Sequence, residues 1–266
     1  MRGWAGFRRL APAALTLAGV MMIWQAAVAV LRIPAWLLPA PSRIAAELFA
    51  QQAPLAVHSA RTLLEALLGL GIALALGVLL GSFIERLSWL RRAVYPLLVL
   101  SQTVPLIVLA PLLVIWFGYG LTPKILVVVL ACFFPVVVNT ITGLESADPD
   151  LIQLFRSMGA SPNRIFRMVQ WPSAVPAILS GTRVAASYSV MAAVVAEWMG
   201  SDSGLGVYIV RSAHSFLTSR VFAGIVLISL FSVVLFVTVE RVERLVVRWR
   251  DPESEAGGQR KGSVNQ

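Results

Sequence analysis

Residues Thr62–Ile84 read TLLEALLGLGIALALGVLLGSFI, a run in which Glu65 is the only ionisable side chain. At about 1.5 Å per residue, such a run makes a helix long enough to cross the ~30 Å apolar thickness of a bilayer. Ala73, Gly77 and Gly81 recur on a step of four, the spacing at which one helix backbone presses closely on another. We read that stripe as a packing face; the glycine spacing by itself does not establish dimerisation.

Five further stretches have the same character: Ala11–Leu31, Ala93–Phe117, Pro123–Leu144, Ala174–Trp198 and Val221–Val239. The 266-residue chain is 58% apolar and 13% charged, against roughly 45–50% and about 25% in soluble domains. A secreted enzyme, a disordered regulator and a cytosolic nucleotide-binding domain are excluded. Strand-like alternation is missing, and lipid forbids unpaired backbone, so the spans read as helices. The first stretch also has features of a signal peptide, with Arg8 and Arg9 ahead of it, but its apolar core exceeds the usual 7–15 residues. The fold class is therefore an all-α integral membrane protein with six transmembrane helices. Residues 1–10 form an N-terminal segment, 11–240 the membrane domain and 241–266 a polar, partly disordered tail.

The net charge of +9 is a topology signal. Fifteen of the 22 Lys and Arg fall in the N-terminus, the connections 85–92 and 145–172, and the tail; six fall in the alternate connections. Both termini and those two connections are thus expected in the cytoplasm, and nucleic-acid binding is not needed to explain the basicity. The lone Cys132 gives neither a disulfide framework nor a metal site. In the outer connection 32–61, Ile44, Ala45, Leu48 and Phe49 fall at helical spacing between Pro41 and Pro54, predicting a short interfacial helix.

Connection 145–172 is far longer than two adjacent spans need. Asp148 with Pro149 and Asp150, and Ser161 with Pro162, are helix-start signals. Leu151, Leu154, Phe155 and Met158 form one apolar stripe, and Gly159 supplies the left-handed residue that ends this helix. A second helix presents Ile165, Met168 and Val169 on one face, with Arg164 and Arg167 elsewhere, and Trp171-Pro172 closes the unit. The expected product is a hairpin with a protruding tip at Met158–Pro162. It either lies on lipid headgroups or is offered to a cytosolic partner.

The run SMGASPNRIFRMVQWPSAVPAILSGTRVA (Ser157–Ala185) resembles the coupling-loop signature of binding-protein-dependent ABC importer permeases. That pattern is Glu-Ala-Ala, three residues, Gly, nine residues, Ile, one residue, Leu-Pro. Gly159, Val169, Trp171 and Pro172 match its spacing, whereas Gln153-Leu154-Phe155 stand where the triplet belongs. Weakened triplets are usual in the sulfonate/nitrate/taurine-type branch. Leu38–Ile44 (LPAPSRI), Ile115–Gly120 (IWFGYG), Phe133–Leu144 (FFPVVVNTITGL) and Ala196–Ile209 (AEWMGSDSGLGVYI) resemble that branch too. The blocks Phe133–Leu144 and Glu197-Trp198 are most similar to permeases for thiamine-pyrimidine precursors or riboflavin.

The resemblance implies a type I importer permease fold in a bacterial cytoplasmic membrane, paired with a second copy. Two cytosolic ATPase subunits would bind ATP and Mg, and an external binding protein would deliver a small organic solute. Sulfonate, taurine or nitrate is the alternative cargo. It places ATPase coupling on Phe155, Met158, Gly159, Ala160, Ser161, Arg164 and Pro172. The chain has no G-x-x-x-x-G-K-[ST] stretch to cradle phosphates. No cofactor and no catalysis are expected in it.

Polar groups within the spans are candidate pathway residues, because each costs insertion energy. Ser101, Gln102 and Thr103 precede Pro105 and Pro111, which are expected to kink the third span. Asn139, Thr140 and Pro135 mark the fourth span; Ser187 and Tyr188 mark the fifth. Glu65 is placed to reach the outer interface. Arg183 is placed to snorkel or to pair with another helix, and Glu197 is placed to gate, to contact solute or to anchor the outer end of its span. The segment Gly200–Gly206 reads as a flexible loop. His58 and His214 have no neighbouring ligand or base in sequence. A secondary transporter or channel would show repeats or paired midplane acids, and a membrane enzyme would show a nucleophile–base or metal constellation; neither pattern is evident.

Overall fold

The computed structural model describes residues 3–247. Among them the regular elements are helices: α1 (Gly3–Val30), α2 (Pro41–Ala50), α3 (Gln52–Arg86), α4 (Ser88–Ser101), α5 (Leu106–Phe117), α6 (Thr122–Glu145), α7 (Pro149–Ser157), α8 (Pro162–Ile165), α9 (Trp171–Glu197), α10 (Leu205–His214) and α11 (Thr218–Val246). One widened turn, Phe166–Gln170, joins α8 to α9. Of the expected tail 241–266, residues 241–246 continue α11 and residues 248–266 lie outside the described residues. The chain forms two compact units, one of residues up to Leu64 with Glu197–Leu230, the other of Glu65–Ala196 with residues from Phe231 onward.

Four helical runs are long and apolar enough to cross a bilayer: α3, α6, Pro162–Glu197 and α11. Helices α4 and α5 qualify together as a fifth, and the apolar part of α1, Ala14–Val30, is shorter. Five of the six apolar stretches read from the sequence fall on a single helix each, and the third, Ala93–Phe117, on the pair α4 and α5. Their boundaries shift, because α3 starts ten residues before Thr62 and α11 continues seven residues past Val239. The interfacial helix predicted between Pro41 and Pro54 is α2, with Pro41 in its first turn, Ile44 buried and Phe49 exposed.

The third span is broken, not kinked. Its two halves meet at 97° across residues 102–105. Pro105 brings no amide hydrogen and pushes its predecessor out of helical conformation. The carbonyls freed at the break are taken locally: the Ser101 hydroxyl donates to Leu98 O at 2.7 Å, and that of Thr103 to Leu100 O at 2.8 Å. Pro111, by contrast, sits within α5 without ending it.

The second unit is organised around α6. Its buried stripe Val128, Cys132, Val136 and Thr140 faces the small-residue stripe of α3. A Cβ added at Gly77 would lie 2.7 Å from Val136 Cγ1, and one at Gly81 2.8 Å from Thr140 Cβ. Gly69 lies as tightly against Val128, extending the predicted face by one turn. On a neighbouring face of α6, Gly143 meets Ala174 and Ala177, and Gly181 meets Pro135 and Asn139, so α9 approaches α6 equally closely. Lipid offers little hydrophobic drive for helix association, so close backbone packing does that work.

One charged residue differs from expectation and another meets it. Glu65 does not reach an interface. It is wholly buried and pairs with Lys124 at the start of α6, Nζ to Oε1 3.7 Å. Pairing is what makes burial of either charge tolerable. Arg183 pairs with α11, as one of its two expected outcomes, through Glu243.

The first unit holds a clamp where a flexible loop was expected. Segment Gly200–Gly206 is pinned by three hydrogen bonds from its amides, and a fourth joins two of their acceptors. The Thr62 hydroxyl donates to Glu197 Oε1 at 2.6 Å and accepts from the Leu205 amide at 2.8 Å. The Gly206 amide donates to Glu197 Oε2 at 2.6 Å, and the Gly204 amide to His58 Nδ1 at 2.9 Å. Gly204, at φ +128°, lies so close to the Glu197 carboxylate that no side chain fits. Its glycines therefore serve close approach, not mobility.

Candidate functional site

The elbow between α6 and α9 is built by local chemistry. Asp148 caps α7, its carboxylate accepting from the Asp150 amide at 2.9 Å, with Pro149 in the first turn. The helix ends in a Schellman arrangement: Ala160 N–H bonds Phe155 O, Gly159 N–H bonds Arg156 O, and Gly159 has φ +77°. These features match the sequence reading. Ser161 does not cap through its side chain. Its backbone carbonyl takes the Arg164 and Ile165 amides.

The second arm is not a separate helix closed by Trp171-Pro172. It runs on as one 36-residue helix, Pro162–Glu197. The widened turn explains why. Trp171 N–H reaches Phe166 O, five residues back, just ahead of Pro172, which has no amide to donate. Ile165 and Val169 are buried as expected, but Met168 is exposed.

On the other arm nothing of α7 is buried. Leu151, Leu154 and Met158 face outward, Met158 at 75% exposure, and Phe155 is half-buried. Ala160 is half-buried; Gly159, Ser161 and Arg164 are exposed at the tip. The predicted coupling residues thus cluster at the tip, beside the exposed apolar side chains of Leu151, Leu154 and Met158, except Pro172, which lines a cleft at the base of the elbow.

Charges visible in the sequence only as topology signals brace this base. Arg91 of α4 pairs with Glu145 at the end of α6 and lies 3.9 Å from Glu85 of α3. Arg86 stacks over the Phe166 ring at 4.5 Å. The elbow is thereby tied to α3 and α4 by their arginines.

The predicted pathway residues do not form one group. Ser101, Gln102, Thr103 and Pro105 are exposed at the α4–α5 break, and Tyr188 is exposed on α9. Asn139 is half-buried on α6, its amide donating to Pro135 O at 2.7 Å, and faces the cleft. Glu197 is buried in the clamp, with both oxygens accepting hydrogen bonds. His58 is an acceptor in the same clamp, tilted against Tyr208 at 5.5 Å. Among the described residues, no three His, Cys, Asp or Glu gather as a metal site.

Residues 73–248 match the family described as binding-protein-dependent transport system inner membrane component. A formylaminopyrimidine transport permease protein, ThiX, of Halalkalibacterium halodurans is 37% identical over 232 residues, covering 87% of this chain and 92% of the relative. A riboflavin transport system permease protein, RibX, of Chloroflexus aurantiacus is 34% identical over 237 residues, 88% of each chain. In solved structures, a chain of the MetNI methionine ABC transporter in inward-facing conformations matches with TM-score 0.58 and 22% identity, over 70% of this chain and 91% of that one.

Proposed function

This chain belongs to the family of binding-protein-dependent inner-membrane transport components, and we propose that its cargo is a small heteroaromatic solute of the formylaminopyrimidine or riboflavin type. It is a permease subunit of an ABC importer. The cargo reading is supported by the 37% identity that extends over nearly the whole of both chains with the formylaminopyrimidine permease.

In this reading the elbow lies in the cytosol. Two copies of the chain assemble with two ATPase subunits, and an external binding protein delivers the solute. The chain itself is non-catalytic; ATP and Mg are held by the ATPases. The apolar knob of Leu151, Leu154, Phe155 and Met158 seats in a groove on the ATPase, where burial of about 25 cal/mol per Å2 of apolar surface holds it. The tip is closed by two backbone hydrogen bonds, one donated by the Gly159 amide and one by the Ala160 amide. No hinge separates it from α9, so displacement of the knob on ATP closure moves the whole helix. The tight glycine contacts pass that motion to α6.

The test is reconstitution of the permease, its ATPase and its binding protein in proteoliposomes. ATP-dependent, binding-protein-dependent uptake of labelled formylaminopyrimidine is expected. Uptake of riboflavin alone reassigns the cargo within the reading. Uptake by the permease without ATPase would refute the importer assembly.

A further inference from the structure

At the root of the elbow lies a cleft of 720 Å3 walled by α6, α9 and the end of α11. Asn139, Thr142, Ser180, Arg183 and Glu243 supply polar groups to it, and Pro172 closes the elbow side. Two of its walls are fixed. A Cβ at Gly143 would lie 2.8 Å from Ala177 Cβ, and one at Gly181 2.6 Å from Asn139 Cβ, so α6 and α9 are already at contact.

Across the cleft, α9 meets α11 through Arg183. Its Nη1 is 3.6 Å from Glu243 Oε2, and its Cζ is 5.4 Å from the centre of the Phe236 ring. A separation of 3.6 Å is attraction without a hydrogen bond. Glu243 Oε2 is shielded from solvent and accepts no hydrogen bond. A carboxylate in that state is costly until a donor reaches it. A planar guanidinium with five N–H donors faces it. Opposite charges held just beyond hydrogen-bonding distance, in the lining of a polar cleft, suit a guest that is itself dipolar.

We propose that this cleft is an inner binding site for a small dipolar solute, which sets an acceptor group (carboxylate, sulfonate or carbonyl) on Arg183 and an N–H donor on Glu243. The site rests on the importer reading and deepens it. Solute entering between the two side chains replaces one ion pair that lacks a hydrogen bond with two charge-assisted hydrogen bonds. Because Pro172 and Ser173 line the same cleft, its filling bears on the base of the elbow.

The experiment measures equilibrium binding of labelled formylaminopyrimidine and of riboflavin to the permease–ATPase complex in nanodiscs, with the binding protein omitted. ATP-dependent uptake by the complete system is followed in parallel. Saturable binding of one probe is expected, weakened about tenfold or more in Arg183→Gln and in Glu243→Gln. The exchange Arg183→Glu with Glu243→Arg keeps an ion pair but reverses its polarity; it is expected to assemble without regaining binding. Ser180→Leu, which fills the cleft and leaves the pair intact, is expected to give the same loss.

Binding restored by the exchange, or binding unchanged in the single variants and in Ser180→Leu, overturns the site and leaves the pair a structural brace. Absence of saturable binding of either probe also overturns it, whatever uptake does. Absence of ATP-dependent uptake in that same experiment additionally overturns the cargo reading.

Discussion

The Thr62 hydroxyl and the Glu197 carboxylate are joined by a 2.6 Å hydrogen bond across 135 positions of sequence. Thr62 also accepts from the Leu205 amide, so one side chain ties α3 both to the end of α9 and to the start of α10. Replacing Thr62 with Val removes both bonds and leaves a buried carboxylate short of a donor, at about 1.5–3 kcal/mol for a bond to a charged group. Faster hydrogen exchange at the Gly204–Gly206 amides is expected, with Thr62→Ser close to wild type. Unchanged exchange in Thr62→Val would show that the clamp is held by other bonds.

Gly159 has open space around its missing side chain but stands at φ +77°. Gly159→Val therefore meets no clash and costs backbone strain of about 1–2 kcal/mol. The strain falls on an exposed tip, so insertion and helix content are expected to survive while ATPase attachment weakens. Co-purification of the ATPase with the variant, read against circular dichroism, checks this. Wild-type recovery of the ATPase would remove the tip from the docking surface.

Gly77 presents the opposite case. Its Cβ would collide with Val136 at the α3–α6 contact, and neither backbone has room to give. Gly77→Val is expected to cost about 1–3 kcal/mol by overpacking. Lower thermal stability in detergent is the readout. The same substitution at Gly71, which has nothing within 4 Å, is the control and is expected to be nearly neutral.

Arg91 and Glu145 form the brace at the elbow's base. Arg91→Glu alone places like charges beside Glu85 and Glu145 and is expected to reduce ATP-coupled uptake. Combining it with Glu145→Arg restores the pair and is expected to recover most of the loss. A double-mutant cycle measures the coupling; additive losses would mean the two residues act independently.

The helical class, the approximate position of every apolar stretch, the α7 cap and the left-handed Gly159 were all legible in the chain, because each depends on residues within one or two turns. Hydropathy and capping are local properties, and a helix satisfies its own backbone. The break at Pro105 was signalled but underestimated, since a proline alone does not say how far a helix bends; the three residues before it close a turn of their own. The continuity of α9 through Pro172 was hidden, because a widened turn leaves no compositional trace.

What only the tertiary structure decided were the partners of the charged groups. Glu65 with Lys124, Arg183 with Glu243, Arg91 with Glu145 and Glu197 with Thr62 are each drawn from different helices. A buried charge must find a counter-charge or donor, but its own sequence neighbourhood does not specify which. That choice follows from which helix backbones come closest; for Glu65 and Lys124, on α3 and α6, Gly69, Gly77 and Gly81 allow that contact.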